Sequence, residues 1–136
     1  MACPYFYPLA RVETTSWVVP PRLPLGDPFA GECRAGDSAF QPGEDKVRQI
    51  CNLGYGRGRC DRFPDAADAD AVRFQVSTDG GELIRIQYSY EKDCWPREHG
   101  MIECSPAGGV VSSEPANAIL RRQAAAFVES YVRRRA

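Results

Sequence analysis

The chain has 136 residues, 43% hydrophobic and 26% charged, which is the make-up of one ordinary globular domain and excludes a disordered or fibrous chain. Its 17 basic and 18 acidic residues leave a net charge of −1, so no global field recruits nucleic acid or an anionic membrane. No stretch approaches the roughly 20 consecutive apolar residues that a membrane-spanning helix needs.

The first residues, Met1 to Pro8, lack a basic lead, and prolines interrupt their short apolar run, unlike a secretory signal peptide. The expectation is a cytoplasmic chain, and that decides how its six cysteines are read. In a secreted protein of this length six cysteines would imply disulfides. In a reducing compartment clustered thiols are more often metal ligands or catalytic groups. Metal ligation is the leading reading, with disulfides and unrelated buried thiols as its alternatives.

Residues 1–42 hold most of the eleven prolines. Proline fixes φ and removes a backbone donor, so long helices and central strands are not expected there. Only Ser16–Val19 reads as a short extended segment. The region is nonetheless rich in Tyr5, Phe6, Tyr7, Trp17, Phe29 and Phe40, and an irregular apolar coil of this kind needs a staple. A short helix is predicted from about Glu44 to Leu53, with acidic residues in its first turn, Val47, Ile50 and Cys51 on one face, and Gly54 as its stop. The connector Gly54 to Arg59 can then turn back and return Cys60 towards Cys51.

Val72, Phe74 and Val76 alternate with polar residues, as do Ile84, Ile86, Tyr88 and Tyr90, and Asp79-Gly80 between them is a tight-turn signal. This predicts an antiparallel hairpin with one apolar face. Met101–Cys104 and Val110–Ser112 are short extended pieces that could extend it. From Pro115 to about Arg134 the period becomes helical through Ala116, Leu120, Ala124, Phe127, Val128 and Tyr131. Ser113 or Glu114 is the expected cap, and Arg133 to Arg135 complement the dipole of the last turn. The fold class is therefore α+β in a single domain: a metal-clipped region over 1–64, an antiparallel β region over 71–112, and a helix over 114–135 packed on the hairpin.

The candidate metal ligands are Cys3, Cys33, Cys51 and Cys60, separated by 29, 17 and 8 residues. Four thiolates suit tetrahedral zinc and equally an iron–sulfur cluster. Structural zinc commonly takes ligands in closely spaced pairs, and this set has none. Dispersed cysteines beside shielding aromatic residues favour a [4Fe–4S] cluster, with Zn2+ as the alternative.

A second set, Cys94, His99 and Cys104, has the C-x4-H-x4-C spacing of the last three ligands of a zinc knuckle. Its first cysteine is replaced by Glu91, and the simpler reading is a loop carrying two neighbouring thiols. Arg57, Arg59 and Arg62 form a small basic cluster that could contact phosphate or a carboxylate partner, or else a solvated loop. The glycines from Gly54 to Gly58 lack the ending of a phosphate-binding loop. Asp65, Asp68 and Asp70 do not complete a calcium loop and read as a polar linker. No hydrolase triad or H-E-x-x-H motif is present.

Two functions follow. The first is a small iron–sulfur protein, serving electron transfer with a redox partner protein, redox sensing or structure. The second is a zinc-stabilised module that binds nucleic acid or a protein. An enzyme built on Cys94, His99 and Cys104 has the least support.

Overall fold

The structure is a computed structural model that describes residues 2–12, 24–36, 38–107 and 109–135. The extended segment expected at Ser16–Val19 lies outside the described residues. Two antiparallel sheets and a C-terminal helix make an α+β arrangement. Strand β1 (Phe6–Arg11) pairs with β2 (Phe29–Cys33), and Phe6 lies opposite Cys33. The second sheet is a meander of β3 (Ala71–Asp79), β4 (Ile84–Lys92) and β5 (Trp95–Cys104), in that order.

The β3–β4 hairpin forms where alternation placed it, with Val72 opposite Tyr90, Phe74 opposite Tyr88 and Val76 opposite Ile86. Its turn closes through the Gly80 amide, which donates to the Leu83 carbonyl at 2.9 Å, while the Asp79 carboxylate accepts the Gly81 amide at 3.0 Å. One apolar face results, with Val72, Ile84, Ile86 and Ile102 fully buried.

Strand β5 runs further back than the expected Met101–Cys104. The segment read as a loop after the hairpin is a strand from Trp95 onward, because β4 has a free edge that supplies backbone partners along its whole length. Pro96 is tolerated because it falls where the register shifts, and β5 is itself an edge strand. Trp95 through His99 are exposed on both faces, so no hydrophobic alternation marks them. The expected extra piece at Val110–Ser112 is a single bridge from Val110 to Cys104.

Helix α1 (Glu44–Lys46) runs directly into a π-helical turn over Val47–Cys51. The expected helix is therefore present in position, but its second half is wound wider: the Asn52 amide donates to the Val47 carbonyl five residues back at 3.1 Å. Gly54, at φ 81°, ends it as predicted, its amide donating to the Ile50 carbonyl at 2.7 Å.

Helix α2 (Ala118–Arg135) starts later than the expected Pro115. Its start is set by Asn117, whose side-chain oxygen accepts the Leu120 amide at 3.0 Å, and not by Ser113 or Glu114. The helix packs against the hairpin through Phe127, whose ring stacks on Phe74 at 5.6 Å. The adjoining part of the same helix face holds the proline-rich region. Gln123 and Ser130 are fully buried there, and Arg133 and Arg134 pair with the buried Asp27. The basic last turn thus clamps a loop as well as complementing the helix dipole. The N-terminus joins the meander directly, because Ala2 and Val72 exchange backbone hydrogen bonds of 2.7 and 2.8 Å. No described helix is long and apolar enough to cross a membrane.

Candidate functional site

The four dispersed cysteines meet. Cys3, Cys33, Cys51 and Cys60 all line one pocket whose internal cavity is about 20 Å³ as the side chains stand, room for about one water. Each arrives on a different piece of backbone, and the local chemistry of each piece explains why.

Cys3 sits in the turn between the Ala2 bridge and β1. Its amide donates to the Cys51 carbonyl at 3.0 Å, so these two members of the set are tied through their main chains. Its own carbonyl accepts the Phe6 amide at 3.1 Å and the Gln123 side-chain amide at 2.8 Å. Cys33 ends β2 and exchanges two hydrogen bonds with Phe40, at 2.7 and 2.9 Å, which folds the following loop back over the pocket.

Cys51 is the last residue of the π turn. That turn is fixed by Asn52, whose side chain is fully buried and makes three hydrogen bonds. Its oxygen accepts the Phe29 amide at 3.0 Å, and its nitrogen donates to the carbonyls of Phe29 and Val47, each at 2.9 Å. The carboxamide acts as a short piece of strand joining the π turn to β2. Cys60 returns on a turn closed by its amide donating to the Gly56 carbonyl at 2.7 Å. Gly56 is required for that approach: a Cβ there would lie 2.9 Å from Ile50 Cγ2 and 3.3 Å from Cys60 Cβ.

The set has a buried side and an open side. Cys3 and Cys51 are 8% and 6% exposed, while Cys33 and Cys60 are half-buried. Burial pushes the Cys3 and Cys51 thiols up to about 12. Neighbouring thiols push the same way, Cys33 and Cys60 on Cys3, and all three others on Cys51. All six cysteines are free thiols. Among the described residues no three His, Cys, Asp or Glu side chains form a group that could hold a metal ion as they stand. The remaining wall is mostly apolar, including Phe6, Phe40, Ile50 and Phe63, with two cations, Lys46 and Arg62. Lys46 Nζ donates to Asp61 at 2.8 Å.

The basic cluster Arg57, Arg59 and Arg62 is not a free patch. Arg57 is a structural cation: Nε donates to the buried Asp70 at 2.7 Å, and its terminal nitrogens donate to the carbonyls of Asp65 and Ala67 at 2.9 and 2.7 Å. Asp70 is correspondingly no surface linker residue. Burial alone would raise its pKa, but the Asp93 amide and the Arg57 guanidinium more than offset that and hold it below the usual carboxylate range. Arg59 reaches the Gln49 carbonyl at 3.5 Å. Arg62 turns the other way, into the cysteine pocket, with its guanidinium carbon 4.1 Å from the centre of the Phe40 ring.

The second set does not come together. Cys94 is exposed in the β4–β5 turn at φ 67°, and Cys104 is fully buried at the far end of β5. Ten residues of extended strand at ~3.3 Å each hold the two roughly 30 Å apart. His99 lies between them, opposite Ser89. The knuckle-like spacing is a coincidence of one strand's length, and the two thiols are not neighbours.

Asn52 and Gln123 are the positioning residues that the sequence reading passed over. Each had a signal, namely a polar residue within an apolar helical face. No known protein family, curated protein or solved structure matches the chain.

Proposed function

We propose that the chain is a small iron–sulfur protein whose Cys3, Cys33, Cys51 and Cys60 hold a [4Fe–4S] cluster. The observation that carries this reading is the gathering of four thiols, from four separate backbone pieces, around one largely apolar pocket. A tetrahedral zinc ion draws four sulfurs to about 2.3 Å from a single point. A cubane cluster instead takes one thiolate on each of four irons, so it accepts thiols spread round a wall. The donor set is all sulfur, and the aromatic shell limits access of water, which fits a cluster and tunes its potential.

Such a cluster would supply one-electron exchange. Ligation of every iron by cysteine leaves no open coordination position, so electron transfer is a better reading than substrate chemistry. The chain's own residues set the direction of that exchange. Cys3 and Cys51 face the core, whereas Cys33 and Cys60, with the partly exposed Phe40, face outward. A redox partner protein would approach the Cys33–Cys60 edge. Free thiols on this pocket accord with a reducing compartment such as the cytoplasm.

The test is purification without oxygen, followed by an absorption spectrum and measurement of iron, sulfide and zinc. Brown protein with iron and sulfide in equal amounts is expected. The colour should be lost in Cys51→Ser and Cys60→Ser and kept in Cys94→Ser. Colourless protein carrying stoichiometric zinc without sulfide would replace this reading with a zinc-stabilised binding module.

A further inference from the structure

We infer that Arg62 is a positioning residue of the cysteine pocket, donating its Nε–H to a sulfur of the bound group and favouring that group's reduced state. The inference rests on the cluster reading above. Three observations carry it. Arg62 forms part of the wall shared with all four cysteines. Its guanidinium carbon lies 4.1 Å from the centre of the Phe40 ring, a cation–π contact that helps to fix its direction. Its Nε is buried and has no acceptor within hydrogen-bond distance among the described residues.

A buried N–H without an acceptor costs free energy, and native structures rarely leave one without a reason. The described protein atoms do not supply the acceptor. The other cation of the wall contrasts with this, because Lys46 is already bonded to Asp61. A group built from thiolates and sulfide is anionic and becomes more so on gaining an electron. A directed N–H and a fixed positive charge both stabilise the reduced form more than the oxidised one. Removing them moves the reduction potential in the negative direction.

The experiment compares anaerobically prepared wild type, Arg62→Gln, Arg62→Lys and, as a remote charge control, Arg85→Gln. Arg85 lies on β4, paired with Glu103 on the sheet surface. Iron and sulfide are measured first, and the reduction potential is then read by titration with mediators. Arg62→Gln is expected to keep the wild-type iron and sulfide and to shift to a more negative potential. Arg62→Lys, which retains the charge without the directed donor, shifts the same way by less, and Arg85→Gln stays at the wild-type potential. A fully loaded Arg62→Gln at the wild-type potential overturns the inference. If that variant does not load, an unshifted Arg62→Lys overturns it. Independently, reduced wild type carrying isotopically labelled arginine should show an arginine nitrogen coupled to the cluster by pulsed electron paramagnetic resonance, and its absence also overturns the inference. Wild type without iron and sulfide fails at the first measurement and removes the cluster reading itself, a result distinct from the others.

Discussion

The side-chain amide of Gln123, on the C-terminal helix, donates to the carbonyl of Cys3 at 2.8 Å across 120 positions of sequence. The same nitrogen donates to the Phe6 carbonyl at 2.7 Å, so one fully buried side chain closes both ends of the turn that carries Cys3. The helix is thereby part of the frame of the cysteine pocket, although none of its residues lines it.

Gln123→Met keeps the length of the side chain and removes both donors. The Phe6 carbonyl loses this donor, and the Cys3 carbonyl keeps only the Phe6 amide. Removal of Gln123 Oε1, unpartnered among the described residues, offsets part of the cost, which for a buried acceptor left unsatisfied is about 1–3 kcal/mol. We expect a loss of about 2 kcal/mol, read as a lower urea midpoint of the metal-free protein, with Glu129→Gln on the exposed side of the helix as an unchanged reference. An unchanged midpoint in Gln123→Met would show that these bonds contribute nothing net.

Asn52→Leu tests the clamp behind Cys51. It strips three hydrogen bonds that join the π turn to β2 and leaves the Phe29 amide buried without its acceptor. The expected cost is on the order of 3 kcal/mol, at the upper end for a buried polar group that loses its partners. On the proposed cluster reading, the variant should also lose iron more readily to a chelator than wild type, because Cys51 and Cys33 are carried by the two elements that Asn52 joins. Equal chelation rates would separate the clamp from the pocket.

These two residues show where the sequence was readable and where it was not. Val72 to Tyr90 alternate with period two, and the hairpin follows because one face is buried. Leu120, Ala124 and Val128 recur at helical spacing, and the helix follows for the same reason. The four cysteines, grouped as candidate ligands from their setting in an apolar, proline-rich coil, line one pocket, but among the described residues they form no group that could hold a metal ion as they stand. Asn117 is one of several polar residues that could cap the helix, the strand from Trp95 to His99 has no alternation to mark it, and the inward turn of Arg62 is decided by its packing on Phe40, distant in sequence. Trp95 to His99 pair with β4 through their backbone while exposing both faces, which leaves no periodicity. Arg57 and Arg62 sit five residues apart and look alike in sequence, yet one binds the buried Asp70 and the other enters the pocket.

Thiol reactivity gives a third expectation. In the native metal-free protein, alkylation should reach Cys94 first, because it is exposed in the β4–β5 turn, and Cys3, Cys51 and Cys104 last, because they are buried. Burial also pushes Cys3 and Cys51 up to about 12, so little thiolate is present near pH 8, and the thiolate is the reactive form. Peptide mapping by mass spectrometry after timed quenching reads the order. Early labelling of Cys51 would contradict the packing of the π turn.

The pH dependence of stability follows from groups outside the cysteine set, with Cys3 and Cys51, both raised from 9.0 to about 12, adding to the alkaline side. Asp27 and Asp70 are driven upward by burial, but Arg133, Ser130 and Arg134 on Asp27, and the Asp93 amide and Arg57 on Asp70, more than offset this, and both fall below the ordinary 3.8. Their stabilisation is present above that value and is lost as pH falls through the lower folded values. On the alkaline side, burial raises Tyr90 from 10.0 to about 12, helped by Glu98, and raises Cys104 from 9.0 to about 11 despite Arg121. A raised pKa means that the folded state holds the proton more tightly than the unfolded one. That stability is complete below pH 9 and drains away as pH rises from 9 through 12. The urea midpoint of metal-free protein should therefore be level between about pH 4 and 9 and fall on both sides. Asp70→Asn should flatten the acid limb while lowering the plateau, since Arg57 then loses its buried partner. Tyr90→Phe should flatten the alkaline limb above pH 10, where the phenol begins to ionise in the unfolded chain. An alkaline limb that is identical in Tyr90→Phe and wild type would mean that Tyr90 does not titrate differently on folding, and would assign the fall to other groups.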